Sequence, residues 1–176
     1  MKKIALILLA IFAMTLVSNE ISAQTSPIKI VSRHPDFNIK VKRCVASGGV
    51  VILDLIMTNT GEYDINNFDV YGGAGGNNST TIYDSEGNQY GGHYASGSDV
   101  KIKSGVKSTY SSNDIGDRTF VANVPLQVSL RIEGVPTSVE SIALVQLSVN
   151  APAWSLTYNT PRSNNPQLRN IPITRN

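Results

Sequence analysis

The chain is short of the residues that most often carry chemistry. Among 176 residues there are one cysteine, two histidines and one tryptophan. A single cysteine, Cys44, closes no internal disulfide, so the fold has to rest on its core. With His34 and His93 as the only imidazoles, a nucleophile–base pair has few ways to assemble, and no Gly-x-Ser-x-Gly elbow is present. Two histidines and one cysteine far apart in sequence make a poor zinc set. Charged residues are sparse at 16%, with 15 basic and 13 acidic side chains scattered rather than clustered. That balance carries no electrostatic footprint for nucleic acid and no basic amphipathic helix for a membrane surface. No segment keeps a helical apolar period over three turns.

One long apolar run exists, at the N-terminus. Lys2 and Lys3 precede an uncharged stretch from Ile4 to Val17, and a polar run then ends at Ala23. This is the layout of a secretory signal, and the run is shorter than the roughly 20 residues of a membrane span. Residues 1–23 are therefore expected to be a cleaved signal peptide. Cleavage would lower the net charge of +2 by one, with the loss of Lys2, Lys3 and Glu20. The expected location is periplasmic or extracellular, with no stable membrane span after signal cleavage. No cysteine follows the run to take an acyl anchor.

The remainder reads as strands. Val, Ile, Thr and Tyr recur between clusters of Gly, Asn, Ser and Asp. Phe37, Ile39, Val41 and Val45 alternate with polar residues, and Lys42-Arg43 interrupts the alternation, which predicts a bulge. Val50–Met57 is apolar on both faces except for Asp54 and is expected to be a central strand. Thr80–Asp84 and Gln89–Tyr94 read as a hairpin around Ser85-Glu86-Gly87-Asn88. Val128, Leu130 and Ile132 alternate inward, and Ile142–Val149 is a further strong strand. Weaker candidates lie at Ser108–Tyr110 and Trp154–Tyr158, with a helical turn within Ser111–Arg118. From Asn159 the chain is rich in Pro, Asn and Arg. It is expected to be a polar, mobile tail or loose arm. The expectation is an all-β, immunoglobulin-like antiparallel β-sandwich of about eight or nine strands over residues 24–158, with a tail at 159–176.

Three motifs carry a resemblance. They are the long apolar strand closing in Thr58-Asn59-Thr60-Gly61, the hairpin Asp84-Ser85-Glu86-Gly87-Asn88-Gln89-Tyr90, and the unit running from Val124-Pro125 to Gly134-Val135-Pro136. Over roughly residues 36–149 the chain resembles uncharacterised secreted immunoglobulin-like domains of bacteria. The signal followed by Ala-Gln resembles exported proteins of the Bacteroidetes group. The resemblance implies an envelope β-sandwich and brings no active-site residue with it.

Six of the thirteen acidic residues (Asp64, Asp84, Glu86, Asp99, Asp114, Asp117) sit in turn sequences, where they bond to their own backbone. Asp54 stands apart as an acid within an apolar strand. It is expected to face water or to meet Lys40, Lys42 or Arg131 across a sheet, because an unpartnered buried carboxylate is costly. Cys44 is expected to be a small buried residue. The oxygen groups of 84–88 suit calcium chemistry but lack the closing glutamate of an EF-hand. Glycines 72–76 precede a Thr-rich strand rather than a helix, which argues against a phosphate loop.

No catalytic residue, metal ligand or cofactor is assigned. The binding candidates are Tyr71, Tyr83, Tyr90 and Tyr94, set in a Gly/Asn/Ser-rich region whose composition matches adaptable binding loops. The expected function is a non-enzymatic binding or structural role in the envelope, with an envelope protein or a glycan as partner and no nucleic acid. A carbohydrate-binding module using the 71–98 loops, a small hydrolase with an Asp/Glu or Cys44 centre, and an assembly subunit lending its C-terminal arm are the alternatives.

Overall fold

The computed structural model describes residues 26–32, 37–73, 78–93, 99–104, 110–111, 118–150 and 165–175. The proposed signal, His34, glycines 75–76, Tyr94, the polar stretch 112–117 and the strand candidate at 154–158 lie outside these residues. No helix among the described residues is long and apolar enough to cross a membrane.

The described chain is all-β, with thirteen strands. β1 (Lys29–Val31), β12 (Gln167–Pro172), β10 (Ser141–Gln146), β5 (Thr81–Asp84) and β6 (Gln89–Gly91) form one sheet in that order. β13 (Thr174–Arg175), β2 (Phe37–Ser47), β3 (Val50–Asn59), β9 (Pro125–Glu133) and β7 (Val100–Ser104) form the second. A smaller group joins β11 (Val149–Asn150), β4 (Ile65–Val70) and β8 (Arg118–Phe120). Inward residues of all three merge into one core, which makes the architecture a β-sandwich. Thirteen strands rather than eight or nine arise partly because breaks split runs that read as continuous. Ile142–Val149, for example, becomes β10 and β11.

Alternation places most of this core. Leu53, Leu55 and Met57 of β3 face inward beside Leu130, Val128 and Leu126 of β9. The bulge at Lys42 is present: Val41 pairs with Leu55, Arg43 with Asp54 and Cys44 with Leu53. The extra residue resets the period, so Cys44 turns into the core and Arg43 out of it. Burial pushes the Cys44 thiol up to about 12, and the nearby Asp54 charge adds to the shift. It is therefore protonated at neutral pH, not a ready nucleophile.

Asn59 gives the Asn-Thr-Gly motif its physical meaning. Its buried amide donates to the carbonyls of Tyr63 and Phe120 and accepts from Gly61 N–H, at 2.8, 3.0 and 3.0 Å. It ties the end of β3 to the loop at Tyr63 and to the end of β8, whose Phe120 clusters with Phe37 and Phe68 and stacks on Phe68 at 4.4 Å.

The expected mobile tail is a correction. Residues 167–172 form an interior strand, with Leu168 and Ile171 fully buried. Two consequences hide it in the sequence. Asn170 adopts a left-handed φ of 58°, so the inward residues fall three apart rather than two. The apolar count is also low because each inward group is isolated among polar ones. After Ile173 the chain crosses to the second sheet, where β13 pairs in parallel with β2. Arg175 there donates to the carbonyls of Pro136 and Val139. An arm lent to a neighbour is thus not what these residues form; they close their own sandwich.

Candidate functional site

The hairpin Asp84–Tyr90 sets one end of the first sheet. Asp84 is buried, and one carboxylate oxygen accepts from the N–H groups of Glu86 and Asn88, both at 2.9 Å. The other accepts from the Asn88 amide at 2.8 Å and the Tyr90 hydroxyl at 2.7 Å. Burial works to raise the Asp84 pKa, but the bonds from Asn88, Tyr90 and Glu86 outweigh it and hold the carboxyl below its ordinary value. Both oxygens are thus committed to N–H and O–H donors. Among the described residues no group of three or more His, Cys, Asp or Glu converges as a metal site.

A pH dependence follows. The folded-state value lies below the unfolded one, so Asp84 contributes stability above about pH 4 that disappears as pH falls through its lower folded value. Asp84→Asn is expected to be less stable than wild type at neutral pH and to lose less on acidification. Urea titrations at neutral and strongly acidic pH check this; parallel losses in both proteins would refute it.

Tyr90 is 5% exposed and belongs to the core, so it is not a binding-loop residue. Its phenol serves Asp84, and burial followed by that carboxylate raises its pKa. Alternation explains the placement: Tyr90 pairs with Ile82, an inward residue, across the hairpin.

Tyr83 and Tyr71 are placed differently. Tyr83 faces out, half-buried, in a row that crosses the whole sheet. Gln89 pairs with Tyr83, Tyr83 with Leu144, Leu144 with Arg169, and Arg169 with Lys29. The next row outward runs Thr81, Gln146, Gln167 and Val31. The line of β5 then continues into β4. Tyr71 N–H donates to Ser148 C=O at 3.0 Å, and Val70 pairs with Val149. Thr80 fastens the junction, its hydroxyl donating to Tyr71 C=O at 2.5 Å and accepting from Ser148 N–H at 3.1 Å.

Val70 and Val149 are buried, so Asp69, Tyr71 and Asn150 share the outer side. There the Tyr71 hydroxyl and the Asn150 amide both donate to Asp69, each at 3.3 Å. Tyr83 and Tyr71 are thus two rings on one face, separated by four strand positions along β10–β11, roughly 13 Å. Between and beside them stand Thr81, Gln146, Gln167 and Arg169, whose guanidinium donates to Gln167 Oε1 at 3.1 Å. Of these partners the sequence reading had none. Thr81 and Tyr83 show their alternation plainly, but Gln167 and Arg169 lie in the segment read as a tail. Gln146 needs the bulge at Ala143 to come into line.

A second polar row crosses the outer face of the other sheet. Asp54 is 2% exposed there. Its carboxylate accepts from Arg43 Nε and from Ser129 Oγ, both at 2.5 Å. The partner is Arg43, not Lys40, Lys42 or Arg131, because the bulge at Lys42 brings the next residue opposite Asp54. Lys103 pairs with Ser129 on the far side, and its ammonium lies 4.6 Å from the Tyr110 ring. Burial and then the Asp54 charge raise the Tyr110 pKa. Ser129 is buried, and its hydroxyl faces a carboxylate already bound by a guanidinium, which is a poor base for activating it.

Comparison with protein-family models, with curated proteins and with solved structures finds no match to this chain.

Proposed function

We propose that the chain is an exported, non-enzymatic β-sandwich, immunoglobulin-like in layout, that binds a neutral oligosaccharide in the bacterial envelope. The observation that carries the reading is the outer face holding Tyr83 and Tyr71 in line with Thr81, Gln146, Gln167 and Arg169. A half-buried ring offers its apolar face to the C–H side of a sugar. A side-chain amide both donates and accepts, which suits a pair of neighbouring hydroxyls, and a guanidinium supplies two donors in a fixed fork. A flat face with two rings roughly 13 Å apart suits an extended chain of sugars rather than a single one. The two rings of this reading, Tyr83 and Tyr71, stand on the sheet rather than in a loop, and Tyr90 is not among them. Export rests on the N-terminal pattern of residues 1–23.

Titration calorimetry of the mature protein against a panel of neutral oligosaccharides tests this. One or more is expected to bind, and Tyr83→Ala to weaken that binding about tenfold, the usual cost of removing a central aromatic anchor. Tyr71→Ala should weaken long oligomers more than short ones. Binding that ignores both substitutions, or a panel that gives none, would sink the proposal.

A further inference from the structure

The outer face of the second sheet has a different character. Its registers put Lys40 of β2 beside Ile56, Arg43 beside Asp54, Arg131 of β9 beside Ile52, and Lys101 and Lys103 of β7 beside Arg131 and Ser129. Inward residues alternate with all of these, so the five cations project from one face. Lys42, the extra residue of the bulge, is exposed at its margin. Two carboxylates share the face. Asp54 is sealed beneath Arg43, whose own side chain stays 59% exposed. Glu133 Oε1 is shared between Lys101 at 3.0 Å and Arg131 at 2.8 Å. The whole chain carries a net charge of only +2, so positive charge is concentrated here rather than spread evenly.

We infer that this face is a second binding surface, for a linear polyanionic glycan bearing carboxylate or sulfate groups. The cations reach from β2 to β7, three strand spacings or roughly 14 Å, across the sheet. Charge complementarity draws a polyanion to such an array, and the release of its counterions drives binding. The aliphatic groups of the same face choose between partners. Val45, Val50, Ile52 and Ile56 are only half-exposed. The exposed large apolar residues of the described chain (Ile28, Val31, Tyr63, Val121 and Val124) all lie elsewhere. A stable protein interface needs an apolar centre, and a lipid surface needs apolar groups to insert. This face presents cationic tips, with the Tyr110 ring beside Lys103, over half-exposed aliphatics, which fits a flexible charged chain. It is separate from the neutral-glycan face proposed above.

The test is affinity electrophoresis of the mature protein in gels containing polygalacturonate or heparin, with single-stranded DNA of matched charge as comparison. Retardation by at least one polysaccharide is expected. It should weaken about tenfold at roughly 50 mM salt when Lys40→Gln is combined with Lys103→Gln, with a shallower salt dependence. Lys40→Arg with Lys103→Arg should restore it, and Tyr83→Ala should leave it unchanged. Acetylation of the wild-type protein gives a reading independent of any variant's folding. Lys40, Lys101 and Lys103 should be protected by the polysaccharide and Lys29 on the other sheet should not. No retardation, equal retardation by DNA, or uniform protection of all four lysines would overturn the inference.

Discussion

A chain running from Gln24 to Asn164 is expected not to fold. The missing residues include β12, which lies between β1 and β10 and is hydrogen-bonded to both. Leu168 and Ile171 would be lost from the core, each contributing about 1.5–3 kcal/mol by burial. β1 would lose its one strand neighbour among the described residues, and β10 would present an open edge in the middle of its sheet. A domain of this size has roughly 5–15 kcal/mol of stability in all. Scanning calorimetry and amide NMR of chains ending at 164 and 176 make the comparison. The short chain should give no cooperative transition and a narrow spectrum. A sharp transition with dispersed amides would mean that residues 165–176 are an appendage after all. Within the full chain, Leu168→Ala is the graded version, expected to cost about 2–5 kcal/mol.

The second large effect is expected at Gly91. Its φ of 65° is left-handed, and a Cβ built there would lie 2.4 Å from the Thr80 carbonyl oxygen and 3.1 Å from Gly73 Cα. Gly73 is equally confined, with room for no Cβ beside Gly91 and Val100. The two glycines let Gly73 and Thr80 pack against β6 and β7. Gly73 N–H there donates to Val100 C=O at 2.8 Å, and Gly91 N–H donates to Asp99 at 2.7 Å.

Alanine at 91 must bear the left-handed cost and also push backbone aside, for a loss of about 3 kcal/mol. Gly87→Ala is the control. Gly87 has a φ of 88° but open space around it, so it should cost only about 1 kcal/mol. Denaturant midpoints of the two variants decide the matter; equal losses would show that the close approach contributes nothing. Because Thr80 and Tyr71 sit at this junction, Gly91→Ala should also disturb the outer tyrosine face.

What could be read from the sequence follows from where period two survives. β9 alternates without interruption, and Val128, Leu130 and Ile132 point inward as read. The Lys42-Arg43 irregularity was visible as a bulge, but its consequence was not. Naming the partner of Asp54 requires knowing which residue of β3 the bulge faces. Tyr90 reads like Tyr71 and Tyr83 because composition carries no direction; only the hairpin register, pairing it with Ile82, turns it inward. The C-terminal strand was lost for a stronger reason. Its inward residues are spaced by a left-handed asparagine, and one of its two sheet partners, β1, lies at the opposite end of the described chain, where no local pattern can announce it. The site suffered most, because half of its outer face comes from that strand and from β10.

The pairing of β1 with β12 bears on the order of events during synthesis. The first described strand has only one of the last as its neighbour, so Ile30 and Leu168 meet across nearly the whole described chain. Contacts of such sequence separation form late and slowly. A ribosome releasing this chain from its N-terminus therefore delivers a polypeptide that cannot complete its first sheet until the final residues emerge. That enforced delay leaves the first sheet open while the strands between β1 and β12 are made.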